Sequence, residues 1–281
     1  METQTPEFKE LLLRQLPDKV NANMFRTKRK VQAEHSELTE ANNWHLVKGG
    51  LNSSKSESVN PPSAALAILF NPVTLEWIKA LPPNVPLQKD QDKRIKNEVM
   101  IIRASLEISG LSKLQNHVKE LENLFLDGHP VFGFLTPHFG PSLDALLYQV
   151  DNGSYNVTEK QLTAEISGYI YNQAFEHACQ LCLKYGFWVQ DPNPGNVIIS
   201  YENGMFNDAL LIDFASGRQI APTFVGQKYQ EPEARKARFV RLFKEELCPL
   251  FNREATKHSI PLIDSSNQTL CNYVEKFLPI N

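Results

Sequence analysis

Three polar side chains in the C-terminal half have types and spacing that could do chemistry. Asp191 opens the run Asp-Pro-Asn-Pro-Gly-Asn, and Asn196 closes it. Asp213 follows seventeen residues beyond Asn196, in the apolar run Ala-Leu-Leu-Ile-Asp-Phe. Proline fixes φ and removes a donor, and glycine permits positive φ, so 191–196 reads as a rigid, shaped loop. It leads into Val197-Ile198-Ile199, a β-branched run that predicts a strand. The following Asn203-Gly204 pair suits a tight reversal into a second strand ending near Asp213. Such a hairpin would bring Asn196 and Asp213 to one end of a short sheet. A carboxylate and an amide oxygen there are hard donors that suit Mg²⁺, which uses few protein ligands and completes its shell with water and phosphate. Asp191 would remain to accept a hydroxyl proton. Phosphoryl transfer needs this division of tasks: a metal neutralises phosphate charge while a separate carboxylate aligns the nucleophile. A lone Asp-x-x-x-x-Asn is common and also fits a plain structural turn; the strand context and the second carboxylate give it weight here.

Several elements must position these groups. Leu162, Ile166, Ile170, Ala174, Ala178 and Leu181 recur at helical spacing, which predicts a helix over 159–185 with Gly186 at its C-terminal cap. That helix delivers the chain to the loop. Upstream, Ile95, Val99, Ile102 and Leu106 predict a helix over 91–107. Strand-like pieces flank Asp127-Gly128, and 44–70 reads as strands broken by turns. Residues 71–81 are ambiguous. Asn71-Pro72 resembles a helix start, yet Val73, Leu75 and Trp77 alternate as in a strand. A mostly helical tail is expected over 232–277. The order gives an α+β chain in two lobes with a cleft. Its expected parts are a charged arm over 1–43, a β-rich N-lobe with one helix over 44–138, and a helical C-lobe over 139–281.

Bulk properties exclude some functions. A formal charge of −3 and a pI near 6.2 over 281 residues argue against nucleic-acid binding through net charge. No apolar run is long enough for a membrane span. The N-terminus lacks the apolar core of a secretory signal, and four cysteines fit a reducing compartment. Cys179 and Cys182 fall inside a helical pattern with no second pair at metal spacing, so they read as packing residues. His177, on the same helix, reads as a packed histidine. The cluster Arg26, Lys28, Arg29 and Lys30 reads as part of a solvated arm.

Asp-Pro-Asn-Pro-Gly-Asn-Val-Ile-Ile followed by Leu-Leu-Ile-Asp-Phe-Ala resembles the catalytic loop and metal-binding motif of the protein-kinase-like superfamily. The loop filling is similar to that of the UbiB atypical kinases. The resemblance implies a two-lobed protein-kinase-like fold with a divergent N-lobe and a reduced helical C-lobe. It implies ATP and Mg²⁺ as cofactors, Asp191 as catalytic base, and Asn196 and Asp213 as metal ligands. Lys79 and Glu98 are similar in spacing to the strand lysine and helix glutamate that pair to hold the α/β-phosphates in kinases. Gly49 and Gly50 would form the phosphate-covering turn, without the family's G-x-G-x-x-G. Residues 131–143 look like the strand and hinge between lobes, with adenine bonding backbone near Leu135 to His138. Trp77 stands where the family usually has alanine against adenine. Val189-Gln190-Asp191 replaces His-Arg-Asp, and Asp213-Phe214-Ala215 replaces Asp-Phe-Gly. The expected activity is transfer of the γ-phosphate from ATP to Ser, Thr or Tyr hydroxyls of a protein substrate. Alternatives on the same fold are a small-molecule kinase, a nucleotidyltransferase or a nucleotide-binding pseudokinase scaffold. Location would be cytoplasmic, or in a host cell after delivery as an effector.

Overall fold

The computed structural model describes residues 25–33, 43–47, 67–81, 88–140, 142–147, 163–202, 205–212, 218–219 and 232–278. Its N-terminal half is built on seven strands: β1 (Phe25–Arg29), β2 (Val31–Ala33), β3 (Trp44–Val47), β4 (Ala67–Asn71), β5 (Glu76–Leu81), β6 (Lys119–Leu126) and β7 (His129–Pro137). They form one sheet in the order β1-β3-β4-β5-β7-β6-β2, with every pairing antiparallel. Strands β1 and β2 lie on opposite edges, yet only Lys30 separates them in the chain. The sheet must therefore curl until its edges approach one another. Asp127 clasps the junction: its carboxylate accepts from the Lys30 N–H at 3.0 Å, and its own N–H donates to the Lys30 carbonyl at 2.9 Å.

For residues 25–33 this corrects the expectation of a solvated arm over 1–43. Charge on both sides hides the short apolar pattern of Val31 and Ala33, and Val31 is fully buried in the sheet's core beside Trp44, Leu69, Ile78 and Leu124. The ambiguity at 71–81 is also resolved. The Asn71 side-chain oxygen accepts from the N–H groups of Val73 and Thr74, and Leu75 takes a positive φ of 56°. Asn71-Pro72 thus opens a turn rather than a helix, and β5 follows. In β5, Trp77 and Lys79 share one face of the strand, with the buried Ile78 and Ala80 on the other.

Helix α1 (Gln88–Ile108) lies between β5 and β6 in the chain. Its buried residues Ile95, Val99, Ile102 and Leu106 belong to a second, larger core. That core also takes in α3 (Ala164–Gln180), the hairpin of β9 (Val197–Glu202) and β10 (Met205–Leu211), and the C-terminal helices. The remaining elements are α2 (Leu143–Leu147), β8 (Phe187–Trp188), β11 (Arg218–Gln219), α4 (Pro232–Leu242), α5 (Cys248–Lys257) and α6 (Asn267–Phe277). The result is a mixed α/β arrangement: a curled sheet, then a largely helical half.

Helix α3 starts later than expected. Thr163 caps it by accepting from the Ile166 N–H, and its last turn, Leu181–Tyr185, widens to π geometry before Gly186 ends it at φ 69°. Phe251 of α5 packs on Tyr171 and Phe175 of α3, with ring centroids 5.3 and 5.2 Å away. Cys179 and Cys182 are buried here as thiols, and burial pushes both up in pKa, Cys182 to about 12.

Gly140 joins the two halves. It sits at φ 141°, and a Cβ there would fall 2.0 Å from the Ile199 carbonyl oxygen in β9. Next to it, Ser142 bridges to Ile198. Gly140→Ala is expected to destabilise the protein by about 2–4 kcal/mol, because both backbone strain and a backbone clash must be relieved. Urea denaturation of the variant beside the parent checks this; an unchanged midpoint would show that the crossing is looser than described.

Candidate functional site

Lys79 on β5 and Glu98 on α1 meet directly. The Lys79 Nζ donates to Glu98 Oε1 at 2.5 Å. Glu98 is only 2% exposed and Lys79 12%. A carboxylate so removed from water needs a cation, and strand register delivers this one. Lys79 pairs with Ile68 on one side and Phe134 on the other, so its height above α1 is set by two neighbouring strands.

The 191–196 loop is held by side chains that bond its backbone and by one bond within that backbone. Asn193 Oδ1 accepts from the Gly195 N–H at 2.8 Å, and the Asn196 N–H donates to the Asn193 carbonyl at 2.8 Å. Pro194–Asn196 form a single 3₁₀ turn that feeds β9. Below it, the buried Tyr171 hydroxyl reaches the carbonyls of Pro192, at 2.8 Å, and Phe251, at 3.3 Å. Burial, with the Glu254 and Asp191 carboxylates nearby, pushes that phenol far above its ordinary pKa, so it stays a donor. The Asn196 Nδ2 donates to the Asp191 carbonyl at 3.1 Å. That bond sets the amide's orientation and leaves Oδ1 with no hydrogen-bond partner among the described residues. Asp191 remains partly exposed.

The hairpin forms, with Leu211 opposite Val197 and a register shift between Phe206 and Asp208. One step further, the Ile212 N–H donates to the Asn196 carbonyl at 2.9 Å. Asn196 is therefore bonded to the end of the strand whose next residue in sequence is Asp213. Asp213 itself, like Gly49 and Gly50, lies outside the described residues. An amide oxygen is a hard donor of the kind Mg²⁺ accepts, with water and phosphate completing its shell. Among the described residues no cluster of three or more His, Cys, Asp or Glu forms a self-contained metal cage.

The expected base-binding edge is differently arranged. Leu135 lies inside the sheet, between Ile78 of β5 and Lys119 of β6. The His138 N–H donates to the Leu75 carbonyl at 2.8 Å, so it is already spent. The His138 Nδ1 accepts from the Trp77 indole N–H at 3.1 Å, and Phe70 packs on Trp77 with centroids 4.4 Å apart. Burial lowers the His138 pKa, in keeping with a neutral ring that accepts at Nδ1. An adenine entering here would have to displace this aromatic cluster. A separate hollow of about 380 Å³, lined by Met100, Arg103, Glu107, Tyr185 and Phe187 among others, includes none of the expected site residues.

A buried polar chain lies behind the site, and the spacing of residues did not point to it. Ser105 and Ser109 on α1 approach the two ring nitrogens of His177 on α3, at 2.7 Å and 3.3 Å. Ser105 also donates to the Leu211 carbonyl at 3.2 Å. Three polar residues inside apolar helix faces were the available signal.

No family model matches the chain, and no curated protein matches it. Among solved structures, that of vaccinia related kinase 3 is similar at 12% sequence identity, with a TM-score of 0.38. The match covers 76% of this chain and 58% of that one, so the chain spans less than two thirds of that protein's length.

The ion pair can be weighed on its own. A double-mutant cycle of Lys79→Met and Glu98→Leu should give a coupling energy of about 1–3 kcal/mol in urea unfolding, because each single change removes a directly bonded opposite charge from a buried group. Additive single effects would show that the two groups do not depend on each other.

Proposed function

We propose that the chain is an ATP- and Mg²⁺-dependent phosphotransferase of protein-kinase-like fold, acting on Ser, Thr or Tyr hydroxyls of a protein substrate. The observation that carries this reading is the buried Lys79–Glu98 pair at 2.5 Å. Counted from Trp44–Val47, β5 is the third strand of an antiparallel series, and the glutamate comes from the helix that follows it. Kinases place their phosphate-binding lysine and its glutamate in this relation. The pairing joins residues nineteen apart that lie on different elements, and it holds a cation at the sheet surface where it can meet phosphate oxygens.

In this reading Lys79 contacts the α/β-phosphates and Glu98 keeps it in position. Asn196 Oδ1 and the Asp213 carboxylate would hold Mg²⁺, which when bound neutralises charge on the phosphates. Asp191 accepts the proton of the acceptor hydroxyl as that oxygen attacks the γ-phosphorus. Gly49 and Gly50 would cover the phosphates with backbone N–H groups. The base would lie along the segment from Leu135 to His138, after Trp77 and His138 part.

One observation favours a second reading. The Phe70–Trp77–His138 cluster fills the place proposed for adenine, which suits a scaffold that binds nucleotide weakly and turns none over. Turnover measurements separate the two. With γ-labelled ATP, a cell lysate as acceptor and Mg²⁺, the parent should transfer label to protein. Asp213→Ala should lose metal-dependent turnover, and Asp191→Ala should bind ATP yet lose transfer by roughly 100-fold or more. Label moving only from α-labelled ATP would make the chain a nucleotidyltransferase. Variants as active as the parent would end the assignment.

A further inference from the structure

Trp77, Lys79 and Leu81 follow one another on one face of β5. Leu81 is buried in the larger core and closes that direction, so a phosphate held by Lys79 leads along the strand toward Trp77. The two residues are one pleat apart, about 7 Å, a span that a ribose bridges. The partly exposed indole of Trp77 therefore stands where a base would lie. An aromatic heterocycle already occupies that position: the His138 imidazole lies against the indole with ring centroids 6.0 Å apart, while the buried Phe70 packs on the indole at 4.4 Å.

The backbone beside Trp77 has little with which to read the edge of a base. The His138 N–H donates to the Leu75 carbonyl. Bonding alternates along an antiparallel pair, so Thr136, two residues back and opposite Trp77, turns its own N–H and C=O toward β5 as well. Leu135 faces the other way and is opposite Lys119, where β6 begins. Past that point this side of β7 has no strand partner in the sheet, and the next residue on it is Pro137. Proline has no N–H and presents a carbonyl alone. One carbonyl cannot tell bases apart, because adenine, guanine, cytosine and uracil each carry an N–H that it accepts.

We propose that the nucleotide site takes nucleoside triphosphates with little regard to the base, and that Trp77 is the residue that binds it, holding its face and not its edge. The base takes the place of the imidazole against the indole. A stacking platform tolerates every base, since each has a π-face. A site built to hydrogen-bond an edge behaves differently, because a wrong partner leaves its buried polar groups unpaired and is rejected strongly. Lys79 and the metal supply the remaining recognition through the phosphates, which all nucleoside triphosphates share. The inference rests on the phosphotransfer reading for the position of those phosphates, so binding and transfer are measured separately.

The test titrates the full chain with ATP, GTP, CTP and UTP in the presence of Mg²⁺ by calorimetry, with inorganic tripolyphosphate as a probe that lacks a base. The four nucleotides should bind with dissociation constants within about tenfold of one another. Trp77→Leu should weaken all four by a similar factor, about 5- to 100-fold, and leave tripolyphosphate binding unchanged, which also shows that the variant is folded. Should Trp77→Leu fail to fold, Trp77→Phe decides, with a smaller loss that is equal for all four bases. A preference for ATP over GTP or CTP beyond about tenfold overturns the inference. So does a loss that differs from base to base, an equal loss for tripolyphosphate, or tighter nucleotide binding by Trp77→Leu, which would make the indole a plug. In parallel, γ-labelled ATP and GTP should label protein at comparable rates. Binding that ignores the base, with no transfer from either nucleotide, rejects phosphotransfer and upholds the role of Trp77. Transfer from ATP alone upholds phosphotransfer and rejects that role, and no binding of any nucleotide rejects both.

Discussion

A carboxylate that is 2% exposed must have a cation, and Glu98 obtains one only if β5 and α1 keep their present relation. Much of the N-terminal half serves that single contact. The turn at Asn71–Leu75 reverses the chain so that β5 begins at Glu76. The pairing of Lys79 with Ile68 and Phe134 sets its height, and the buried stripe of α1 fixes which way Glu98 faces. At larger scale the sheet curls, and Asp127 clasps Lys30 at the junction between its two edge strands.

The second half solves a complementary problem, which is to hold polar side chains still without using them up. Backbone groups, Asn193 and Tyr171 carry the support of the 191–196 loop. Asp191 stays partly exposed, and the Asn196 Oδ1 has no hydrogen-bond partner among the described residues. Where the loop meets the hairpin, a main-chain bond from Ile212 to Asn196 does the joining. A scaffold of this kind keeps side-chain chemistry separate from stability, and it explains why two prolines and a glycine sit within six residues.

Much of the C-terminal half was legible in the sequence, because its signals are local. The helical spacing from Ile166 to Leu181, Gly186 as its stop, and the β-branched run after Asn196 each correspond to an observed element. The pairing of Lys79 with Glu98 was legible only through resemblance, since nothing local marks two charges as partners across a sheet and a helix. The strands at 25–33 were not legible, because runs of five and three residues on a crowded basic background show no periodicity; only long-range pairing with β3 and β6 makes them strands. The bond from the His138 N–H to the Leu75 carbonyl was not legible for a related reason: no pattern announces the positive φ of Leu75. The serines of α1 look like ordinary helix residues until β10 and α3 pack on them.

The most direct test of the central claim is a crystal structure of the chain soaked or grown with Mg²⁺ and a non-hydrolysable ATP analogue. The α/β-phosphate oxygens should lie on Lys79 Nζ, with Glu98 still paired to it, and a metal should be bound through Asn196 Oδ1 and Asp213. A nucleotide bound elsewhere, or a metal that leaves Asn196 and Asp213 untouched, would contradict it.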